Sequence, residues 1–174
     1  MEQIKITILL LVAIVLQWIA GNLWQPLNHI DFVLIAVVYS ALQRNAIKAV
    51  VFGSIGGVAI DALSGGLLGS NGFTKTFIAF LVSEIARRFN MDNVLMRLAL
   101  LGAACITDDL VYYAVNAILG QSPSSPFLLT MIYNFVATFV VGAGAFILIE
   151  NLSSRFGSRG ETFSGANKKT MGFR

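Results

Sequence analysis

Apolar residues along this chain come in long, nearly unbroken runs, at 6–19, 30–42, 46–63, 72–86, 94–119 and 127–149, with short polar connections between them. A bilayer core about 30 Å thick takes about 20 apolar helical residues to cross. In hydrocarbon the backbone must bond within its own segment, which leaves the helix as the natural form for such runs. The pattern predicts an all-α polytopic membrane protein with six transmembrane helices, some short or tilted, over approximate spans 6–22, 29–42, 46–63, 72–88, 94–119 and 127–150. Residues 1–150 then form one membrane domain, and no stretch is left over for a soluble catalytic or binding domain.

Two runs need a decision. The first follows a short polar head and has the look of a cleavable signal peptide, but Trp18 and Trp24 suit an interfacial anchor better than a cleavage site. The second, 30–42, is short enough to be re-entrant. A hairpin of runs two and three would carry Arg44 and Lys48 at its tip into hydrocarbon, at about 2.5–3.5 kcal/mol each. Two crossings cost less.

Composition agrees: 56% of the 174 residues are hydrophobic and 12% charged, where soluble domains have about 45–50% apolar and about 25% charged. A small soluble protein could not hide that much apolar surface. The placement of charge says more than its sum of +3. With both termini on one side, that side holds Lys5, Arg44, Lys48, Arg87, Arg88, Arg97, Arg155, Arg159, Lys168, Lys169 and Arg174, 11 of the 12 basic residues. The opposite connections, 22–29, 64–71 and 120–126, contain no Lys or Arg and all three prolines. Short cytoplasmic segments carry the basic excess, so the alternation implies six spans with both termini in the cytoplasm. Residues 151–174 are rich in Gly, Ser, Thr and Asn, with five basic residues and one acid. They read as a flexible basic cytoplasmic tail, positioned by charge bias or touching anionic lipid or a partner. The basic balance thus describes topology and gives no support to a nucleic-acid partner.

Polar residues inside the spans are the candidate chemistry. Ala49, Gly53, Gly57 and Asp61 recur every four residues on the third span, with Gly56 beside them. Small residues at this spacing let helix backbones approach closely, either inside the bundle or against a foreign helix. Asp61 precedes a glycine-rich connection containing Gly65, Gly66, Gly69 and Gly72, suited to a tight turn with positive φ. Its carboxylate there either caps amides of the turn or pairs with Lys75. The connection lacks the Gly-Lys-Ser/Thr ending of a phosphate loop.

Asp108 and Asp109 are the costliest feature, roughly 15–18 Å along the fifth helix from Gly120 and roughly 21–23 Å from Val94. Neighbouring helix positions point about 100° apart, so the two acids face different surroundings. Gly102, Cys105, Asp109, Tyr112 and Asn116 share one stripe, which favours Asp109 as the inward acid. Thr130, Asn134, Thr138 and Gly142 form a second polar stripe on the sixth span. Intramembrane acids suggest function by default, and three roles stand open: buried structural hydrogen bonding, polar contact with a partner's membrane helix, or handling of an ion, proton or solute. Two acids on one helix are the wrong arrangement for an aspartyl intramembrane protease. One Cys (Cys105) and one His (His29) provide neither a disulfide, nor a metal cluster, nor a nucleophile with its base. No cofactor or metal site and no catalytic residue is expected.

A short protein with an opening helix, then Pro26 and Asp31-Phe32 leading into a span ending near Tyr39 and Leu42, then Gly53, Gly57, Asp61, Leu63-Ser64-Gly65 and Gly69, resembles the MreD family of rod shape-determining proteins. The motif covers roughly residues 20–90, and Asp31, Asp61, Gly65 and Gly69 are the positions that match it. The family's fold is similar to the six-helix S components of energy-coupling-factor vitamin transporters. The resemblance implies a non-enzymatic inner-membrane subunit of the bacterial elongation machinery. Such a subunit associates with the bitopic protein MreC and, through it, with MreB filaments and with the SEDS glycosyltransferase and class B penicillin-binding protein that build lateral-wall peptidoglycan. The alternative is a vitamin-binding S component, suggested by Asp108, Asp109, Tyr112 and Asn116, although only Trp24 offers a stacking ring in the outer connections.

Overall fold

The computed structural model describes residues 2–23, 29–65, 69–89, 91, 93–120 and 127–157. They form six α-helices and, among the described residues, no strand: α1 (Glu2–Leu23), α2 (Phe32–Ala41), α3 (Ala46–Ser64), α4 (Ser70–Arg88), α5 (Val94–Ile118) and α6 (Phe127–Gly157). Each predicted run thus becomes one helix. Trp24 and Pro26, expected as an interfacial anchor and a motif residue, lie outside the described residues, as does 158–174 of the expected tail. The helix α6 runs past position 150 to Gly157.

Among the described residues three helices, α1, α3 and α6, are both long and apolar enough to cross a membrane. Polar or charged groups interrupt α4 and α5. The ten-residue α2 is only about 15 Å long, half the hydrocarbon thickness. It is apolar on every side, and Val33, Leu34, Ile35, Ala36, Val37, Val38 and Ala41 are all buried. A helix with no polar face belongs in the middle of a bundle, and α1, α3, α4 and α5 all pack around it.

The chain divides into two compact units, Met1–Gly142 and Ala143–Arg174. In the second, the described backbone is the C-terminal part of α6. The first contains the core, organised by the α3/α4 pair, whose contact is the most extensive among the described helices. The expected stripe of small residues explains it. A Cβ added at Gly57 would stand 2.4 Å from the carbonyl oxygen of Asn71, and one at Gly53 would stand 2.6 Å from that of Lys75. Backbones this close tolerate only hydrogen at those positions, and close approach supplies the dispersion contacts that lipid cannot compete for. Ala49, Gly53 and Gly57 are buried, so of the two readings of this stripe the structure shows packing within the bundle. Gly56 turns towards α1 and α2, where Leu10 and Val33 are its nearest neighbours.

Outward-facing residues are apolar along whole helices, including Ile8, Leu11 and Val15 on α1, Val51, Ile55 and Val58 on α3, and Ile132, Val136 and Val140 on α6. Faces of this kind are tolerated only against another apolar phase. The protein is a membrane protein.

Candidate functional site

The polar residues of the spans converge at one end of the first unit, where α1 and α3 finish and α2 and α4 begin. Two carboxylate devices are built there.

The first joins α3 to α4. The helix α3 ends on Gly65 at φ 64° and α4 is entered through Gly69 at φ 101°, left-handed values that cost a glycine nothing steric. Asp61, one turn before the end of α3, projects across this connection and is 2% exposed. Its Oδ2 accepts from the Gly69 amide at 2.8 Å and the Gly72 amide at 3.0 Å, and its Oδ1 from the Asn71 amide at 3.1 Å and side chain at 2.9 Å. Opening amides of a helix have no carbonyl partner of their own, and the helix dipole favours negative charge there. Of the two expected roles for Asp61, the structure shows the cap. Lys75 is paired elsewhere.

The second device surrounds Lys75, the largest fully buried side chain among the described residues. Its ammonium donates to Asp108 Oδ1 and Oδ2 at 2.9 and 2.8 Å and to Asp31 Oδ2 at 2.5 Å. An ammonium has three N–H groups, and this one meets three carboxylate oxygens. Asp31 is also the N-cap of α2, its Oδ1 accepting from the Leu34 amide at 2.7 Å. Two more amides at this helix start find partners on other helices. Asp31 N–H donates to Thr138 Oγ1 at 3.0 Å, and Phe32 N–H to Gln17 Oε1 at 2.8 Å. A helix beginning inside a bundle would otherwise leave these donors unbonded at a cost of about 1–3 kcal/mol each. Asp31 therefore couples the start of α2 to Lys75 on α4 and, through the lysine, to Asp108 on α5.

Asp109 faces a different side. It accepts from Asn134 Nδ2 at 3.1 Å, which orients that amide and leaves Asn134 Oδ1 to face His29 Nδ1 at 2.8 Å. Thr138 completes the cluster by donating to the His29 carbonyl at 3.3 Å. At its outer edge Asn116 donates to Ser70 Oγ at 3.2 Å and to the Tyr112 carbonyl at 2.8 Å. No buried side-chain nitrogen or oxygen among the described residues lacks a partner.

The expected inward acid was Asp109, and the structure reverses this: Asp108 is buried and Asp109 is half-buried. The stripe through Gly102 and Cys105 is buried, but beyond it the helix face towards the bundle passes through Asp108. The decisive partner, Lys75, attracts Asp108 from a neighbouring helix, which the periodicity of α5 alone does not reveal. Asn134 is in the cluster as a donor to Asp109, and Tyr112 lines the cavity described below. Gln17, Ser70, Asn71 and His29 are members that the sequence did not single out. A glutamine near the end of an apolar run was the available signal for Gln17.

A profile described as rod shape-determining protein MreD matches residues 2–155. The chain belongs to the MreD family. No curated protein matches it, and no solved structure does either. Asp31, Asp61, Gly65 and Gly69, the residues on which the resemblance was drawn, sit in this MreD chain as two carboxylates that start helices α2 and α4 and two glycines that shape the turn between α3 and α4. Beside the second device lies a cavity of about 220 Å³ lined by His29, Asp31, Cys105, Asp108, Asp109, Tyr112 and Asn134, among others.

Proposed function

We propose that this MreD-family chain is a non-enzymatic subunit of the cell-elongation machinery in the bacterial cytoplasmic membrane. It binds the bitopic protein MreC and through it supports the MreB filament, the SEDS glycosyltransferase and the class B penicillin-binding protein in lateral-wall peptidoglycan synthesis. It crosses the bilayer six times with both termini in the cytoplasm, the basic ends of the helices lying on that side. The observation that carries this proposal is the family match over residues 2–155.

The polar cluster supports a structural role. Its lysine is spent on two carboxylates and Asp61 is spent on helix amides, which makes a rigid bundle of the kind an assembly subunit presents to partners. Because α4 covers the small-residue stripe on α3, the contact with MreC falls on the lipid-facing apolar surfaces instead. Affinity purification of the tagged chain from native membranes in mild detergent tests this, together with depletion in the living cell. Recovery of MreC and loss of rod shape are expected. Failure to recover MreC, or unchanged shape after depletion, overturns the proposal.

A further inference from the structure

Two adjoining cavities at the α3–α4 turn have walls of different character. The inner one, about 220 Å³, has three carboxylates in its lining, Asp31, Asp108 and Asp109, and neither lysine nor arginine. The second, about 290 Å³, lies between the ends of α1 and α3 and is bounded by Trp18, Gly21, Asn22 and Leu63. Gln17, Ile60 and Ser64 line both. Trp18 and Leu63 are 53% and 48% exposed, so the outer cavity opens sideways on an apolar helix surface.

The charge inside is unbalanced. Lys75 is paired with Asp31 and Asp108, and Asp109 has no ion-pair partner among the described residues. Its described donor is the neutral amide of Asn134. A carboxylate held at membrane depth strongly favours a cation beside it. A chamber with carboxylate, amide and hydroxyl walls, sharing Gln17, Ile60 and Ser64 with a neighbour bounded by an indole and a leucine, suits a small N–H-bearing cation attached to an apolar tail.

We propose that the inner cavity receives the primary ammonium headgroup of a membrane lipid, of the phosphatidylethanolamine type, with Asp109 as its acceptor and the acyl chains left at the opening between α1 and α3. A primary ammonium forms charge-assisted hydrogen bonds to a carboxylate. The quaternary ammonium of phosphatidylcholine has no N–H and does not. The site is independent of whether MreC is the partner.

Native mass spectrometry of the full chain, delipidated in detergent and titrated with phosphatidylethanolamine, phosphatidylcholine or free ethanolamine, decides it. Phosphatidylethanolamine should bind about tenfold more tightly than phosphatidylcholine, the equivalent of one charge-assisted hydrogen bond. Asp109→Asn should erase that preference. Ser64→Phe, at an exposed position lining both cavities, should also erase it by blocking the passage while leaving the carboxylate in place, and it keeps the test available if the Asp109 variant folds poorly. Equal binding of the two lipids by the natural chain overturns the proposal, as does a preference that survives both substitutions. Free ethanolamine binding as tightly as the lipid overturns the lateral route.

Discussion

Lys75 and Asp108 meet from neighbouring helices in a two-pronged contact of 2.9 and 2.8 Å, with the lysine side chain wholly removed from the surface. The pair holds α4 to α5, and Asp31 closes the same ammonium onto α2. Three helices that lack a hydrophobic drive to associate in lipid thus share one charge.

Removing the cation leaves two carboxylates facing each other without compensation, whereas removing all the charges leaves only a loss of bonding. Lys75→Met should lower the unfolding free energy in mild detergent by about 3–5 kcal/mol, the usual cost of breaking a buried pair from one side. Adding Asp108→Asn to Lys75→Met should recover part of it. Equal stability of the single and double variants, followed by denaturant unfolding, would show that the groups are uncoupled.

Asp61→Ala removes the acceptor of three amides at the start of α4 and should cost about 2 kcal/mol. Hydrogen exchange offers the local readout. Amides of Gly69, Asn71 and Gly72 should lose protection ahead of those in the middle of α4, and uniform loss along the helix would count against a capping role.

Glycine substitutions should separate contact from propensity. A Cβ at Gly57 meets the Asn71 carbonyl oxygen at 2.4 Å, while one at Gly144 meets nothing within 4 Å. Gly57→Ala should therefore destabilise by about 1–3 kcal/mol through forced backbone separation. Gly144→Ala should be neutral or gain up to about 1 kcal/mol from helix propensity. Thermal unfolding of the two purified variants gives the comparison, and similar midpoints would contradict the close α3/α4 packing.

Topology has its own test, made simple by the single buried native thiol, Cys105. In intact spheroplasts an impermeant maleimide should label Ser64→Cys at the α3–α4 turn and should reach Arg88→Cys at the other end of α4 only after permeabilisation. The opposite pattern would invert the proposed orientation.

Much of the helical architecture was legible as hydropathy, because in a bilayer each helix satisfies its own backbone and needs no partner to declare itself. The α3–α4 turn was legible too. Gly65 and Gly69 mark positive φ locally, and a carboxylate just before them has few local options. What remained hidden is which helix faces which. Asp31 lies 44 positions from Lys75, and Asp108 lies 33 positions from it. Periodicity along α5 pointed to Asp109 because a helical wheel records a residue's own face and not the charge opposite it.

By itself, then, the sequence determined that the chain forms membrane helices, where they break, and that a few carboxylates and one lysine stand where charge is expensive. Only the tertiary structure decided how that expense is met. Asp61 is given to the amides of α4, Asp31 and Asp108 to Lys75, and Asp109 is left facing a cavity with an amide beside it. Burial of a charge is tolerated only with a partner within about 4 Å, and that distance is set by the glycine-mediated approach of α3 to α4 and the central burial of α2, which exist only once the helices have packed.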